Sequence, residues 1–596
     1  MPGLSPPSSR KFAHISLALV GLMWVLPFLY PAHAYPITTF HQEWLAGLLG
    51  LIAASWLLWP PTWQRLAIPG VVLLPLGMLL LGVLQWSQGK LAYPGQAGLL
   101  AVYLLWAALL MLLGQRLRNA FGLPALAMTL AACMVVGAEL NAASGIIQHF
   151  GWHTPLDHWI TRRIASQTYG NLAQPNHFAD QLALGIVSLA GLYASGRLTS
   201  RPTIMLVLPL LFTLTLSGSR SGGLYLLWLA GSAWWWQKRQ PELRPLWYFG
   251  LWLLIGFAAM HGLIKLPLFQ GTGDASSSWG RLYQESGGNS IRLFLWQEAL
   301  HIWAEHPWLG TGFGQFGWQH FLLGPEWRNP VITGYYNNAH NLLFQLGAEF
   351  GLAGVLLLLS TLLAWLLRSR QEPRTLWHWW GYSMLAVLLI HSLLEYPLWY
   401  SYFLGIAALL LGMLDRATLR LSLPLSGWLA TAPLILIGLI LSFSLHSGYR
   451  ELENLLSHFP TRELKNDRTV IEQDQAVLNR LAASPLLRPY AELYLNTMYT
   501  PNSINRAYKQ ALNQRVLHCF PFGQPAYREM LLLALSDRTI EAQQVLEQAL
   551  WSYPEEFPRH YDLLVQLAQN NPARYEGLLK FAQQKYTEYQ GAVSAR

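Results

Sequence analysis

Residues 340–366 read HNLLFQLGAEFGLAGVLLLLSTLLAWL. An apolar run of this length can cross a hydrocarbon layer about 30 Å thick as one helix. It opens on His340-Asn341, directly after a polar stretch rich in glycine and tryptophan. A histidine at the wet mouth of a membrane helix titrates near neutral pH while the bilayer holds a greasy partner close by, which suits chemistry on a lipid-linked substrate.

Working outward, runs of the same kind recur along most of the chain. They lie near 13–30, 43–59, 68–86, 96–114, 123–149, 178–195, 202–217, 221–236, 246–263, 376–394, 398–414 and 425–445, so with the 341–366 run the sequence predicts roughly thirteen spans. With 53% hydrophobic and 12% charged residues the chain is expected to be all-α and polytopic. The first run follows Arg10-Lys11 like a signal peptide. A poor cleavage context at His33-Ala34-Tyr35 and the spans that follow predict that it is retained.

Short connections set the orientation. With the N-terminus inside, the inner loops carry Arg65, Arg116, Arg118, Arg197, Arg201, Lys238, Arg239, Arg244, Arg368, Arg370, Arg374, Arg416 and Arg420, and the short outer loops hold few basic residues. That places two loops, about 150–177 and 264–340, and the tail from 447 on the outer side. Topology-setting arginines account for much of the net charge of +9, and no basic face interleaved with aromatics suggests nucleic acid. Cys133 and Cys519 fall in different compartments, so neither a disulfide nor a metal site is expected.

Two domains follow from composition, a transmembrane one over 1–446 and a polar, helically patterned one over 447–596. The segment Glu541 to Pro554 looks faintly like a tetratricopeptide helix, without a clean repeat in the sequence. Such a domain could hold a protein acceptor or brace the outer loops.

Four polar blocks sit at the outer face. Gly170 to His177 opens a span, and its Asn and Pro suit a helix start, whereas Gln174 could also hydrogen-bond a sugar or phosphate. Ser217 to Gly223 is a tight turn in which Arg220 either snorkels or forks onto a phosphate approached by glycine backbone. The long loop holds Arg281, Arg292 and Trp296 on or near an amphipathic helix over 291–304, followed by Pro307 to Gly314. The spacing of Gly310, Gly312 and Gly314 is not that of a dinucleotide loop and serves a turn. The fourth block joins His340, Asn341, Gln345 and Glu349 to the junction from His391 through Glu395 and Tyr396 to Tyr400. Glu349 lies too far along a helix to touch His340, with Gln345 between them.

The blocks Gln174-Pro175-Asn176, Ser219-Arg220, Arg292 before Trp296, Pro307 to Gly312, His340-Asn341 through Gly351 and Leu394 to Trp399, in this order, resemble the Wzy/WaaL superfamily. Within it they are most similar to the PglL-type protein O-oligosaccharyltransferases, the pilin glycosylation ligases, over about residues 160–415. The resemblance implies a GT-C-like helical fold in the bacterial inner membrane. It also implies a metal- and cofactor-independent glycosyltransferase that moves a glycan from undecaprenyl diphosphate to Ser or Thr of a periplasmic, pilin-like protein. His340 would be the catalytic residue, with Arg220, Arg292 and Arg281 on the donor diphosphate. Gln174 and Tyr396 are implicated, and Asn341, Glu349 and Glu395 would support the site. An O-antigen ligase or polymerase with a lipid-linked sugar acceptor is the alternative enzyme. A lipid-linked glycan transporter is the non-enzyme alternative, although apart from Glu139 few midplane charges suit it.

Overall fold

The computed structural model describes residues 7–59, 66–164, 166–272, 291–371, 374–421, 426–463 and 468–595. The protein is a helical membrane protein. Each of the thirteen apolar runs forms helix, and seven helices among the described residues are long and apolar enough to cross a bilayer. A short antiparallel ladder, Leu66–Pro69 on Ala417–Leu421, departs from the all-α expectation.

The chain divides into two compact units, one comprising 1–78, 102–289 and 357–444, the other 79–101, 290–356 and 445–596. In the first unit the Pro175–Ala194 helix is buried on all sides from His177 to Leu192, as expected for a helix with apolar residues all round. Small residues set the approach of its neighbours. A Cβ on Gly185 would come within 2.4 Å of Ala138, and one on Gly412 within 2.0 Å of the Met111 carbonyl, so these helices pack backbone to backbone as small-residue stripes allow in lipid. Cations expected in the inner connections lie on tryptophan rings, Arg116 within the last turns of the Pro94–Phe121 helix on Trp56 at 4.2 Å and Arg239 on Trp235 at 4.2 Å. Arg368 forks onto the fully buried Asp415, both bonds 3.0 Å.

In the second unit the helix expected to run unbroken through 341–366 is interrupted at Gly351 (φ 64°, ψ −162°). The break frees backbone groups that must find partners. Leu352 N donates to Pro307 O at 2.7 Å and Ala353 N to Trp308 O at 3.1 Å, while Thr311 N and Gly312 N donate back to Ala348 O and Glu349 O. The Pro307 to Gly314 loop therefore splices into the helix. Gly310 (φ 62°) must be glycine there, because a Cβ would lie 2.2 Å from the Glu349 carbonyl carbon. The turn expected of these glycines is thus a docking surface as well.

Seven helices fill the tail from Arg468 to Ser594. Alternate ones start at 488, 523 and 557, and at 506, 539 and 572. The buried Glu492 carboxylate ties the tail to the 79–101 segment, accepting from Tyr93 at 2.8 Å, from Arg488 at 2.9 Å and from Nε and Nη2 of Arg515 at 3.1 and 3.0 Å. Burial alone would raise this carboxyl, but the hydrogen bonds from Arg515, Arg488 and Tyr93 outweigh it and hold it below its ordinary value. A lowered folded pKa stabilises above the unfolded value and ceases to do so as pH falls through the folded one. Glu492→Gln should therefore melt several degrees below wild type at pH 7, with the gap closing below about pH 4. Thermal scans of the two proteins across pH check this.

Candidate functional site

The sequence-predicted residues fall into two clusters, one in each unit. Gln174, Arg220, Glu395 and Tyr396 belong to the first, and Arg292, His340, Asn341 and Glu349 to the second; Arg281 lies outside the described residues.

In the first unit Gln174 caps the Pro175–Ala194 helix, its Oε1 accepting from His177 N at 2.6 Å, with Pro175 at the first helical position. Pro175 thus starts the helix as expected, but the cap is Gln174 rather than the asparagines, because its amide oxygen reaches the His177 N–H. Asn176 joins two other segments. Its Nδ2 donates to Glu395 Oε1 at 3.0 Å, and its Oδ1 accepts from Ser219 Oγ at 2.9 Å. Ser219 is buried while the adjacent Arg220, preceding the Ser221–Gln237 helix, is exposed. Gly218 (φ 60°) supplies the sharp turn before them. Tyr396 stacks on Tyr400 with centroids 5.9 Å apart. Burial, and then the neighbouring Glu395 carboxylate, push the Tyr396 phenol above its ordinary value, so it stays a protonated donor at neutral pH.

In the second unit three amide side chains clamp the backbone around His340. Asn338 Oδ1 accepts from His340 N at 2.8 Å, Gln345 Oε1 from Ala339 N at 2.7 Å, and Asn341 Oδ1 from Leu343 N and Phe344 N at 3.0 and 3.3 Å. Asn341 thereby starts the Leu342–Ser369 helix. His340 itself is left-handed at φ 54°, a conformation that costs a residue with a Cβ about 1–2 kcal/mol and clusters at functional sites. Gln345 also bonds the buried Glu349, whose carboxylate takes backbone N–H groups from Gly314, Gln315 and Phe316. Glu349 is thus an anchor for the spliced loop, linked toward His340 through Gln345, as the spacing implied.

Arg292 stands in the first turn of the Ile291–Glu305 helix. Trp296 meets Phe344 at 5.5 Å between centroids, and a Cβ on Gly347 would strike Trp303. These paired contacts run in the same direction along both helices. They bring the turn carrying Arg292 toward the level at which the other helix begins.

The approach to His340 is gripped by the tail. Gly334 N donates to Ser552 O at 2.6 Å, Tyr335 meets Phe522 at 4.9 Å, and Phe321 of the Phe316–Trp327 helix lies in the tail's own core. Periodicity could not show this, nor the buried pair of His320 and Glu298 at 2.9 Å. Residue order singles out neither Asn338 nor Glu298, nor in the first unit Asp180, whose Oδ2 lies 3.1 Å from His391 Nδ1. For Asp180 the one signal available is a carboxylate inside an apolar run, which must find a partner wherever the fold supplies it.

Comparison with known proteins matches residues 204–359 to the family described as O-antigen ligase, and residues 379–568 to the C-terminal part of virulence factor membrane-bound polymerases. The chain is 27% identical over 422 residues to the general O-oligosaccharyltransferase of Acinetobacter baylyi, covering 68% of this chain and 70% of that protein. It is 24% identical over 257 residues to the ComP-specific O-oligosaccharyltransferase of the same organism, covering 42% of this chain and 45% of that protein.

Proposed function

The chain is a member of the Wzy/WaaL superfamily, similar to the PglL-type O-oligosaccharyltransferases, and on that premise we propose that it transfers an oligosaccharide en bloc from undecaprenyl diphosphate to Ser or Thr hydroxyls of periplasmic proteins such as pilin. The observation that carries the reading is the O-antigen ligase match over 204–359, which takes in Arg220, Arg292 and His340 together.

In the reaction the acceptor oxygen bonds to the anomeric carbon as the bond from that carbon to the diphosphate oxygen breaks. Two negative phosphates depart, and Arg220 and Arg292, with Arg281, neutralise them as fixed donors. His340 withdraws the hydroxyl proton as the new bond forms. Attack opposite the diphosphate inverts the anomeric centre. Asn341 and Glu349 hold the His340 backbone and its supporting loop, while Gln174 and Glu395 order the segments around Arg220 and Tyr396 offers a hydrogen bond.

With the thirteen spans and inner arginines expected from the sequence, these groups would face the periplasm from the inner membrane. The tail becomes a periplasmic domain, and the ~34-residue recurrence of its helix starts suits tetratricopeptide-like packing. Alkaline phosphatase fused after His340 or within 450–596 should therefore be active, and green fluorescent protein dark. Cytoplasmic readouts from the tail would invert the placement of every residue above.

The descriptions of the two matched families favour a second reading, in which a lipid-linked sugar is the acceptor. One experiment separates the two. The chain is expressed in a Gram-negative host lacking its own glycosylation enzymes but carrying a lipid-linked glycan and candidate pilins. A glycan-sized mass increase on pilin is expected; the same increase on lipid A core alone would assign the ligase activity instead.

A further inference from the structure

Beyond the residues expected to touch substrate, the first unit carries a buried polar ladder aimed at the Arg220 turn. Asn176 and Asp180 lie one turn apart on the same face of the Pro175–Ala194 helix. Asn176 links Glu395 to Ser219 at 3.0 and 2.9 Å. Asp180 Oδ2 lies 3.1 Å from His391 Nδ1, both side chains fully buried, and the Tyr225 hydroxyl stands beside the same carboxylate. Ser219 and Tyr225 bracket Arg220 in sequence, so the turn that presents the guanidinium is tied to a single helix on both of its sides. On the opposite flank the His391 carbonyl accepts from Leu394 N at 2.9 Å and Glu395 N at 2.7 Å, so the segment leading to Tyr396 hangs from the residue that pairs with Asp180.

Stability does not call for this arrangement. Burying a carboxylate and an imidazole in an apolar bundle carries a desolvation cost that their mutual attraction repays only in part, and apolar groups of the same volume often pack as well or better. What the pair does supply is a fixed geometry for the segments it joins.

We infer that Asp180, paired with His391 and backed by the Asn176–Ser219 bond, is a positioning residue that sets the Arg220 turn for the diphosphate of the donor. The inference rests on the proposed role of Arg220. Its test is equilibrium binding of undecaprenyl diphosphate to the purified full-length chain in nanodiscs, for wild type, Arg220→Ala, Asp180→Asn and Ser219→Ala. Asp180→Asn, which removes the charge facing His391, should raise Kd about tenfold or more, and Ser219→Ala, which loses one hydrogen bond between neutral groups, about three- to tenfold. Binding stoichiometry should stay that of wild type. A merely structural role would instead lower the number of competent molecules and leave Kd unmoved. Should Asp180→Asn fail to fold, Ser219→Ala decides alone, since it removes a single hydroxyl. Wild-type Kd in the ladder variants, beside lost binding in Arg220→Ala, overturns the positioning role and leaves the donor site standing. Wild-type Kd in Arg220→Ala removes the donor-site reading itself, and the ladder's purpose with it.

Discussion

His340→Ala should lower glycan transfer by about 10²–10⁴-fold, the usual contribution of a general base, with protein level and donor binding nearly unchanged. His340→Gln is a sharper comparison, because glutamine keeps size and hydrogen bonding but cannot take the proton. The left-handed backbone at φ 54° adds an independent readout. Glycine relieves that strain, so His340→Gly should be as inactive as His340→Ala yet more stable than it by about 1 kcal/mol. His340→Asn, which tolerates the left-handed region, should fold normally and stay inactive. A strain retained at this one position would then be explained by chemistry. Rates measured in membranes matched for enzyme amount decide the matter. Wild-type turnover in His340→Gln would leave the family resemblance standing and remove the base mechanism.

Arg292→Ala should cost about 10²–10³-fold or more in transfer, as the loss of a fixed donor to developing charge does elsewhere. Arg292→Lys separates charge from geometry. Lysine keeps the positive charge but is a point donor on a flexible stem, so a site built on a bidentate fork should remain substantially impaired. The same pair of substitutions at Arg220 tests its own proposed role as a bidentate donor and should show the same order of effect. If Arg292→Ala transfers at full rate, Arg292 is only an anchor for the first turn of the Ile291–Glu305 helix, and its packing through Trp296 accounts for it.

Much of this was legible from residue order. Apolar length alone marked the helices, because a bilayer demands about twenty residues whose backbone groups bond within the segment. Gln345 was readable as a link between His340 and Glu349, since three- and four-residue offsets share a helix face. The glycines at 310, 312 and 314 announced a turn through their spacing. All of these are local properties, fixed by geometry along the chain.

Through-space pairing was not legible in that way. Nothing within the 341–366 run announced the break at Gly351, because the break persists only where the 307–314 loop supplies carbonyls to the freed N–H groups. Nor could sequence choose between capping and substrate binding for Gln174, or pair Asp180 with His391 across 210 intervening positions. Sequence determined which segments form apolar helices and which polar residue types stand at their ends, since hydropathy and helical period act residue by residue. Tertiary structure alone decided the left-handed backbone of His340, the spliced loop behind Glu349 and the partners of the buried charges, because each depends on what the fold brings within about 3 Å.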